Sequence, residues 1–403
     1  MKNLKINIST LSYLCCLIVI SFMTSCNSCT NYEISTTDKN EEVTDNTKPK
    51  LNVFIENSGS MDGFVLDKSQ FRDDLYDYIS KLKDCTKAQN LYYINAQIIP
   101  IQESLESFFT NLNVADFKAK GGNRAHSDIV DMLGNMLSKA DNNTVTLFAS
   151  DCILDLPEGK TQSFFGLKKT ALAEKIRQYR TQHEGFGFRV LCMQSNFNGN
   201  LYPTGKAPIA VNGNRPYYIW IFGPNKLISQ LMKAVPDEGL GKDLKNCIAF
   251  SDISKGQVPN NVGKSKGAIS RDGKVSLKSG NPKFDLYVNL GRTLLDEKSI
   301  EDKESYDLSP FLKIEGVSKI NNDQSKYTHI IHLNLNHASR AENLKVAMKK
   351  YDEDNLPKWV NDINDETGDK QGTTCGIKYL IQGIGEAFED VPQLTINLGI
   401  SKK

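Results

Sequence analysis

Short apolar runs alternate with amphipathic segments between residues 51 and 236. The first run, Leu51 to Ile55, precedes a segment in which apolar residues recur at helical intervals, and Val145 to Ala149 begins a second pair of the same kind. Uniformly apolar short runs indicate strands covered on both faces, and apolar residues every three or four positions indicate helices. The alternation predicts an α/β fold with a doubly wound, mostly parallel sheet over residues 51–236.

The pattern changes in the second half of the chain. Leu286 and Val288 alternate with other residues, as do Ile331 and Leu333, and no helical pattern lies between these segments. Period-two segments of this kind predict an antiparallel sheet with one buried face. One late helix is predicted from the spacing of Ile377, Leu380, Ile381, Ile384 and Phe388. Residues 245–403 are therefore predicted to form a β-rich second domain with one helix, for which a sandwich is one open arrangement.

The first 25 residues have the parts of a secretory signal. Two lysines precede an apolar core that ends at Met23, and small residues follow it. The core is too short for a comfortable transmembrane helix. The run Met23-Thr24-Ser25-Cys26 resembles the bacterial lipobox, which implies that Cys26 is acylated and holds the chain to a membrane. An ordinary signal peptide with a chance cysteine is the alternative.

Residues 26–50 are rich in Thr, Asp, Asn, Glu and Lys and poor in apolar side chains. A stretch of this composition buries too little surface to offset the entropy lost on ordering. It is predicted to be a flexible tether. Together with the lipobox, it predicts an exported protein that is lipid-anchored to a bacterial membrane, on the periplasmic side or at the cell surface.

Charge and cysteine spacing argue against two classes of function. The chain has 49 Lys and Arg against 48 Asp and Glu, and it lacks a basic stripe interleaved with aromatic residues. Nucleic acid is therefore not an expected partner. Of the nine cysteines, only Cys26 and Cys29 have the Cys-x-x-Cys spacing, so the sequence gives no basis for a zinc site.

Three polar loops follow predicted strands. The first carries Glu56, Ser58 and Ser60 directly after the opening apolar run. Ser127 lies in a Gly-Gly-containing stretch that opens a helix, and Asp151 follows a third apolar run. Ligands bind in the crevice beyond the carboxyl ends of parallel strands, where hydroxyl and carboxylate oxygens suit a small cation such as Mg²⁺.

In this order, the loops resemble those of von Willebrand factor A (vWA) domains. The resemblance implies a Rossmann-like sheet with a metal-ion-dependent adhesion site at its top. Carried over residue by residue, it makes Ser58, Ser60 and Ser127 direct ligands of Mg²⁺ or another divalent cation, and Asp151 a ligand that acts through water. A carboxylate from a protein partner would complete the coordination shell.

Two positions depart from the family pattern. Glu56 stands where the family usually has aspartate, which moves the carboxylate outward by one methylene, and Mg²⁺ demands near-ideal octahedral geometry. Cys152 stands at the glycine of the third loop. The alternative is a structural envelope protein with a degenerate metal site, whose serines only cap helices and satisfy loop backbone.

A hydrolase acting at the same crevice is the other functional alternative. Ser60 would be its nucleophile, and His126 with Asp151 is the only candidate pair for the base in these loops. The Gly-x-Ser-x-Gly motif is absent, and the spacing does not favour catalysis over a cation site. In the second domain, His329 and His332 point to opposite faces of one predicted strand and make a poor pair of metal ligands.

Overall fold

The computed structural model describes most of the chain after residue 30. The described ranges are 31–37, 47–65, 69–125, 128–154, 156–157, 163–253, 258–265, 267–278, 282–322, 325–337, 343–349, 351–353, 356–391 and 393–403. The predicted signal peptide, Cys26, His126 and Ser127 lie outside these ranges. Within them, no helix combines the length and the apolar character that crossing a membrane requires.

Strands outnumber helices in the described residues. The strands are β1 (Asn31–Thr36), β2 (Lys50–Glu56), β3 (Ala88–Ile94), β4 (Ile98–Ile101), β5 (Thr144–Ser150), β6 (Phe186–Leu201), β7 (Ile209–Pro224), β8 (Leu244–Ser251), β9 (Asn260–Lys264), β10 (Lys274–Lys278), β11 (Lys283–Val288), β12 (Tyr306–Leu308), β13 (Leu312–Lys319), β14 (His329–Leu335), β15 (Asn343–Met348), β16 (Asn364–Asp365), β17 (Thr374–Cys375) and β18 (Leu394–Lys402). The helices are α1 (Gln70–Leu82), α2 (Leu105–Asn111), α3 (Val114–Ala119), α4 (Ile129–Leu137), α5 (Ser163–Gln182), α6 (Asn225–Ala234), α7 (Glu297–Glu301), α8 (Lys358–Ile363) and α9 (Ile377–Glu386). Short 3₁₀ helices cover Ser60–Phe64, Lys83–Cys85, Asp237–Leu240, Leu290–Thr293 and Lys303–Ser305.

Seven strands form a central sheet in the order β4-β3-β2-β5-β7-β6-β8. β2 runs parallel to β3 and β5, and the other pairings in this sheet are antiparallel. The predicted α/β class is confirmed, but the predicted mostly parallel sheet is wrong. β6 and β7 pair as a hairpin along their whole length, from Phe186 opposite Pro224 to Leu201 opposite Ile209, and hairpin neighbours are antiparallel.

Helices cover both faces of the central sheet. α1 and α6 pack on one face through residues such as Phe71 and Ile228, and α4 and α5 pack on the other through residues such as Met132 and Ile176. α9 was predicted as the helix of the second domain. Its apolar side, which includes Ile381, instead joins the core cluster that holds α4 and α5. β8 also adds a strand to the central sheet, so the second half of the chain helps to build the first domain.

Two antiparallel sheets lie apart from the central sheet. One has the order β10-β1-β18-β15-β12 and the other β13-β14-β11-β9. Their inward-facing apolar side chains form a single core cluster, which contains Ile34 and Val346 of the first sheet and Leu286 and Ile331 of the second. Two sheets that share a core in this way form a sandwich, as expected for strands that are apolar at every second position.

β1 lies within the predicted flexible tether, and the tether prediction is wrong for these six residues. β1 is an inner strand that pairs with β10 on one side and β18 on the other. Ile34 is completely buried, and Tyr32 points to the same core. The two apolar residues alternate with polar ones that face outward, so a composition that is poor in apolar residues still supplies the buried face of a strand.

A half-buried carboxyl group links α1 to the central sheet and makes stability depend on pH. The Tyr217 hydroxyl donates to Asp74 Oδ2 at 3.0 Å. Burial raises the pKa of Asp74 to about 6, although the bond from Tyr217 lowers it. The protonated Asp74 carboxyl group therefore contributes stability that is complete below its ordinary pKa of 3.8 and is lost as the pH rises through about 6.

Asp74→Asn should therefore be more stable than the natural chain above pH 7, by about 1 kcal/mol because solvent screens this half-exposed group, and by much less at pH 4. The amide oxygen can still accept from Tyr217, but it carries no charge that must be buried. Urea unfolding at both pH values measures the difference. The matched control is Asp77→Asn, because Asp77 is an exposed carboxylate paired with Lys81. A stability difference that does not change with pH would contradict the assignment.

Candidate functional site

The first and third predicted loops meet at the carboxyl ends of β2 and β5. The two strands are parallel neighbours, with Ile55 opposite Ala149, so the residues that follow them emerge side by side. Ser58 Oγ lies 3.0 Å from Ser60 Oγ, and the Ser60 side chain is close enough to the Asp151 carboxyl to lower its pKa. Three of the predicted site residues, Ser58, Ser60 and Asp151, therefore lie together, with Ser60 between the other two.

Glu56 lies beneath this group and bridges the two strand ends. Its side chain is buried, and Oε2 accepts a short hydrogen bond from the Ser150 hydroxyl. Ser150 Oγ in turn accepts from the Cys152 backbone N–H at 2.7 Å. The Glu56 side chain reaches across to the neighbouring strand, and its carboxylate helps to fix the course of the third loop.

Cys152 adopts a backbone φ of 52°, in the left-handed region. Glycine enters this region without a steric cost, whereas residues with a β-carbon seldom do. In the resemblance to von Willebrand factor A domains that the sequence suggests, Cys152 stands at the position of a glycine. Its side chain is fully buried, and burial raises the pKa of the thiol well above its usual value. The thiol is therefore held in its neutral form.

Asp151 is fully buried and only partly satisfied. Its backbone N–H donates to Met61 Sδ at 3.2 Å, and among the described residues Oδ2 has no hydrogen-bond partner. Burial raises the pKa of the Asp151 carboxyl, while the positive charge of Arg215 and the bond from Ser60 lower it. The site therefore contains one buried carboxylate oxygen that is available to a cation or a proton.

Arg215 was not anticipated from the sequence. It lies on β7 beyond the end of β5, where the β6–β7 hairpin extends past the carboxyl edge of the sheet. The guanidinium is 4.8 Å from the centre of the Phe197 ring, and Nη2 donates to the Thr373 carbonyl at 3.5 Å. Nε and Nη1 have no hydrogen-bond partner in the described part of the chain. Burial lowers the pKa of Arg215, and Asp151 opposes this change.

Arg124 ties the stretch that leads into the second loop to the first loop. Nε donates to Asn57 Oδ1 at 2.7 Å, and Nη2 donates to the Ser58 carbonyl at 3.0 Å and to Asp62. The Gly59 backbone N–H donates back to the Arg124 carbonyl at 3.2 Å. The predicted ligand Ser127 lies outside the described residues, three positions after this anchor. No role for Arg124 was anticipated from the sequence.

The spacing of the oxygens in the site can be related to the coordination geometry of a small cation. Two oxygens at right angles around Mg²⁺, each about 2.1 Å from the ion, lie about 3.0 Å apart. The Ser58 and Ser60 hydroxyls have this separation, which is equally that of a hydrogen bond between them. Across the described residues, no group of three or more His, Cys, Asp or Glu side chains could hold a metal ion. A cation here would depend on hydroxyl oxygens and Asp151.

The hydrolase alternative needs a base close to Ser60. His126 lies outside the described residues, and the described parts of the three loops contain no other histidine. The partners given above for Ser60 are a hydroxyl and a carboxylate. The environment of Ser60 therefore resembles that of a cation ligand more than that of a serine nucleophile, which has a base beside it.

We compared the chain with protein-family models, with curated proteins and with solved structures, and nothing matched in any of the three. The resemblance to von Willebrand factor A domains therefore rests on the loop residues and on their order along the chain.

Proposed function

We propose that this chain is an exported lipoprotein, anchored to a bacterial membrane through Cys26, whose first domain binds a protein partner at the carboxyl ends of β2 and β5. A divalent cation, with Mg²⁺ as the expected ion, mediates the contact. The observation that carries the proposal is the group formed by Ser58, Ser60 and Asp151, in which two hydroxyls 3.0 Å apart adjoin a buried carboxylate with an unpaired oxygen.

In this proposal each residue has a separate task. The Ser58 and Ser60 hydroxyl oxygens bind the cation, and Asp151 supplies negative charge next to it. Glu56 holds the ends of β2 and β5 together through its hydrogen bond with Ser150, and it contributes to cation binding less directly than the two serines. Because these residues bring only part of a cation's coordination shell, the rest falls to water, to Ser127 and to an acidic side chain of the partner.

The rim of the site favours a protein as the partner. Ser60 is partly exposed, and beside it the Tyr202 side chain is 50% exposed. A β-carbon built on Gly59 would lie 3.8 Å from the Tyr202 hydroxyl, so this ring stands directly over the first loop. Exposed aromatic residues next to a buried polar centre are typical of protein–protein interfaces.

Mn²⁺ binding tests the cation part of the proposal. A chain that starts at Asn31 should bind Mn²⁺ in calorimetry and in electron paramagnetic resonance titrations. Ser58→Ala and Ser60→Ala should each weaken the affinity roughly tenfold or more, because each removes a ligand oxygen. The matched control is Ser318→Ala, because Ser318 is a partly exposed serine of the sandwich. This variant should bind Mn²⁺ as the natural chain does.

Two results would contradict the proposal. One is the absence of Mn²⁺ binding by a folded chain, which would favour a structural protein with a degenerate site. The other is an affinity that is the same in Ser58→Ala, Ser60→Ala and the control, which would show that the ion binds elsewhere.

A further inference from the structure

We propose that Ser318, His332 and Asp285 form a second functional site, a Ser–His–Asp relay that hydrolyses carboxylic esters. His332 Nδ1 lies 2.8 Å from Asp285 Oδ1, and His332 Nε2 lies 2.9 Å from Ser318 Oγ. A serine next to a histidine base, which is held in turn by a carboxylate, is the arrangement that makes a serine hydroxyl nucleophilic. This site is separate from the proposed cation site and does not depend on it.

Three neighbouring strands of the four-stranded sheet present the relay. Asp285 on β11 lies opposite His332 on β14, and Gly316 on β13 lies opposite His332 on the other side. The neighbours of His332 along β14, Ile331 and Leu333, point into the sandwich core. The relay therefore lies on the outer face of the sheet, where paired strands hold all three side chains in register.

A β-bulge places Ser318 on this face. The register of β13 against β14 shifts between Ile314 and Gly316, so Glu315 is one extra residue on β13. Side chains alternate between faces along a strand, and one added residue reverses the alternation beyond it. Without the bulge, Ser318 would face the core and could not contact His332. Bulges often re-aim a side chain next to an active site.

The carboxylate end of the relay is buried, and its histidine and serine are partly exposed. The Asp285 side chain is 2% exposed and that of His332 is 34% exposed, while Ser318 is partly exposed. A buried carboxylate fixes the tautomer and the orientation of the imidazole ring. The serine end is accessible to a substrate. Gly316 places no side chain over the ring, and a β-carbon built on it would lie 4.0 Å from His332 Cδ2.

The surroundings favour a short acyl group attached to a polar alcohol. Next to the relay on the same face, Glu315 accepts from Lys283 at 2.9 Å and from Asn334 at 3.3 Å. A polar row of this kind suits a hydroxylated alcohol, and an open sheet face gives a long acyl chain little apolar cover.

The reaction balances with water as the only co-reactant. Ser318 Oγ attacks the ester carbonyl carbon as its proton moves to His332 Nε2, and the bond between carbonyl carbon and alcohol oxygen breaks. The alcohol leaves with the proton from His332, and an acyl group remains on Ser318 Oγ. A water molecule then gives a proton to His332 and attacks the carbonyl carbon of this second ester. The bond from that carbon to Ser318 Oγ breaks as His332 returns the proton to Oγ, which releases the acid and restores the serine and the neutral histidine.

Labelling with a fluorophosphonate and turnover of p-nitrophenyl acetate test the proposal on the chain that starts at Asn31. Mass spectrometry should find the label on Ser318. Ser318→Ala should abolish labelling, and Ser318→Ala and His332→Gln should each lower kcat/KM for the ester by about 100-fold or more. Asp285→Asn should lower kcat with little change in KM, because it disturbs the ring and not the substrate.

Ser276→Ala is the matched control, since it removes an exposed serine of β10, on the other sheet of the sandwich, and it should keep full labelling and turnover. Thermal unfolding must show that each variant is folded. A folded natural chain that takes no label on Ser318 would overturn the proposal, as would turnover that Ser318→Ala leaves unchanged. A label found on Ser60 instead would place the hydrolase at the crevice between β2 and β5 and would overturn both proposed sites.

Discussion

A chain that starts at Thr47 should fail to form a stable β-sandwich, whereas a chain that starts at Asn31 should unfold cooperatively. The difference between the two is β1 and the segment that follows it. β1 lies between β10 and β18, so its removal leaves both of these strands with an unpaired side. Strand edges that have lost their partner promote aggregation.

The expected loss of stability is large because β1 contributes burial and hydrogen bonds together. Ile34 is fully buried and Tyr32 nearly so, and burial of each side chain contributes about 1.5–3 kcal/mol. The backbone ladders on both sides add about 0.5–1.5 kcal/mol for each bond. A loss of about 5 kcal/mol or more is as large as the whole stability of many domains. Circular dichroism and urea unfolding of the two chains measure it.

Two point variants of the longer chain check the cause. Ile34→Ala should cost about 2–5 kcal/mol, because it leaves a cavity in the sandwich core. Glu33→Gln, at the neighbouring outward-facing position, should leave the unfolding midpoint nearly unchanged, since the ion pairs of Glu33 with Lys274 and Lys403 lie at the surface. If the chain that starts at Thr47 unfolds at the same urea concentration as the longer one, β1 is not part of the stable fold.

The sequence predicted the elements better than their partners. Hydrophobic periodicity is local, so it identified β2, β5 and α1. The pairing of β1 with β18 joins residues near opposite ends of the chain, with Ile34 opposite Ile400, and no local pattern reports it. The direction of β7 was equally hidden, because an apolar run buried on both faces looks the same in parallel and antiparallel sheets.

The residues of the two proposed sites could likewise be predicted only where a local pattern in the sequence reports them. Ser58, Ser60 and Asp151 could be predicted together because each follows an apolar strand, and parallel neighbours bring such ends to one edge. Arg215 could not, since its approach depends on how far the β6–β7 hairpin extends beyond the sheet. His332 was considered only as a metal ligand. Its contact with Ser318 depends on a one-residue bulge, which no residue spacing indicates.

Replacement of Arg215 by methionine should cost about 1–3 kcal/mol at pH 8, because it removes the positive charge that favours the buried Asp151 carboxylate. Methionine keeps an apolar stem against Phe197. Burial already raises the pKa of Asp151, and loss of the guanidinium should raise it further. A raised carboxyl pKa lowers stability only at pH values at which the group must ionise in the folded protein. The loss of stability in Arg215→Met should therefore be smaller at pH 5 than at pH 8. Urea unfolding at the two pH values measures it.

A double-variant cycle separates charge from packing. In the Asp151→Asn background, Arg215→Met should cost much less than it does alone, because no buried carboxylate remains to be compensated. A cost that is equal in both backgrounds and at both pH values would mean that Arg215 acts only through its contact with Phe197.

The same variant decides whether a cation can take the place of the guanidinium. If Mg²⁺ binds beside Asp151, it should restore part of the stability of Arg215→Met, and at about 100 times its Kd the gain is about 2.7 kcal/mol. The double variant with Asp151→Asn should gain much less, since it lacks the carboxylate that attracts the ion. If Mg²⁺ restores neither variant, Asp151 is compensated by Arg215 alone, and the proposed cation-mediated contact with a partner has no physical basis at this site.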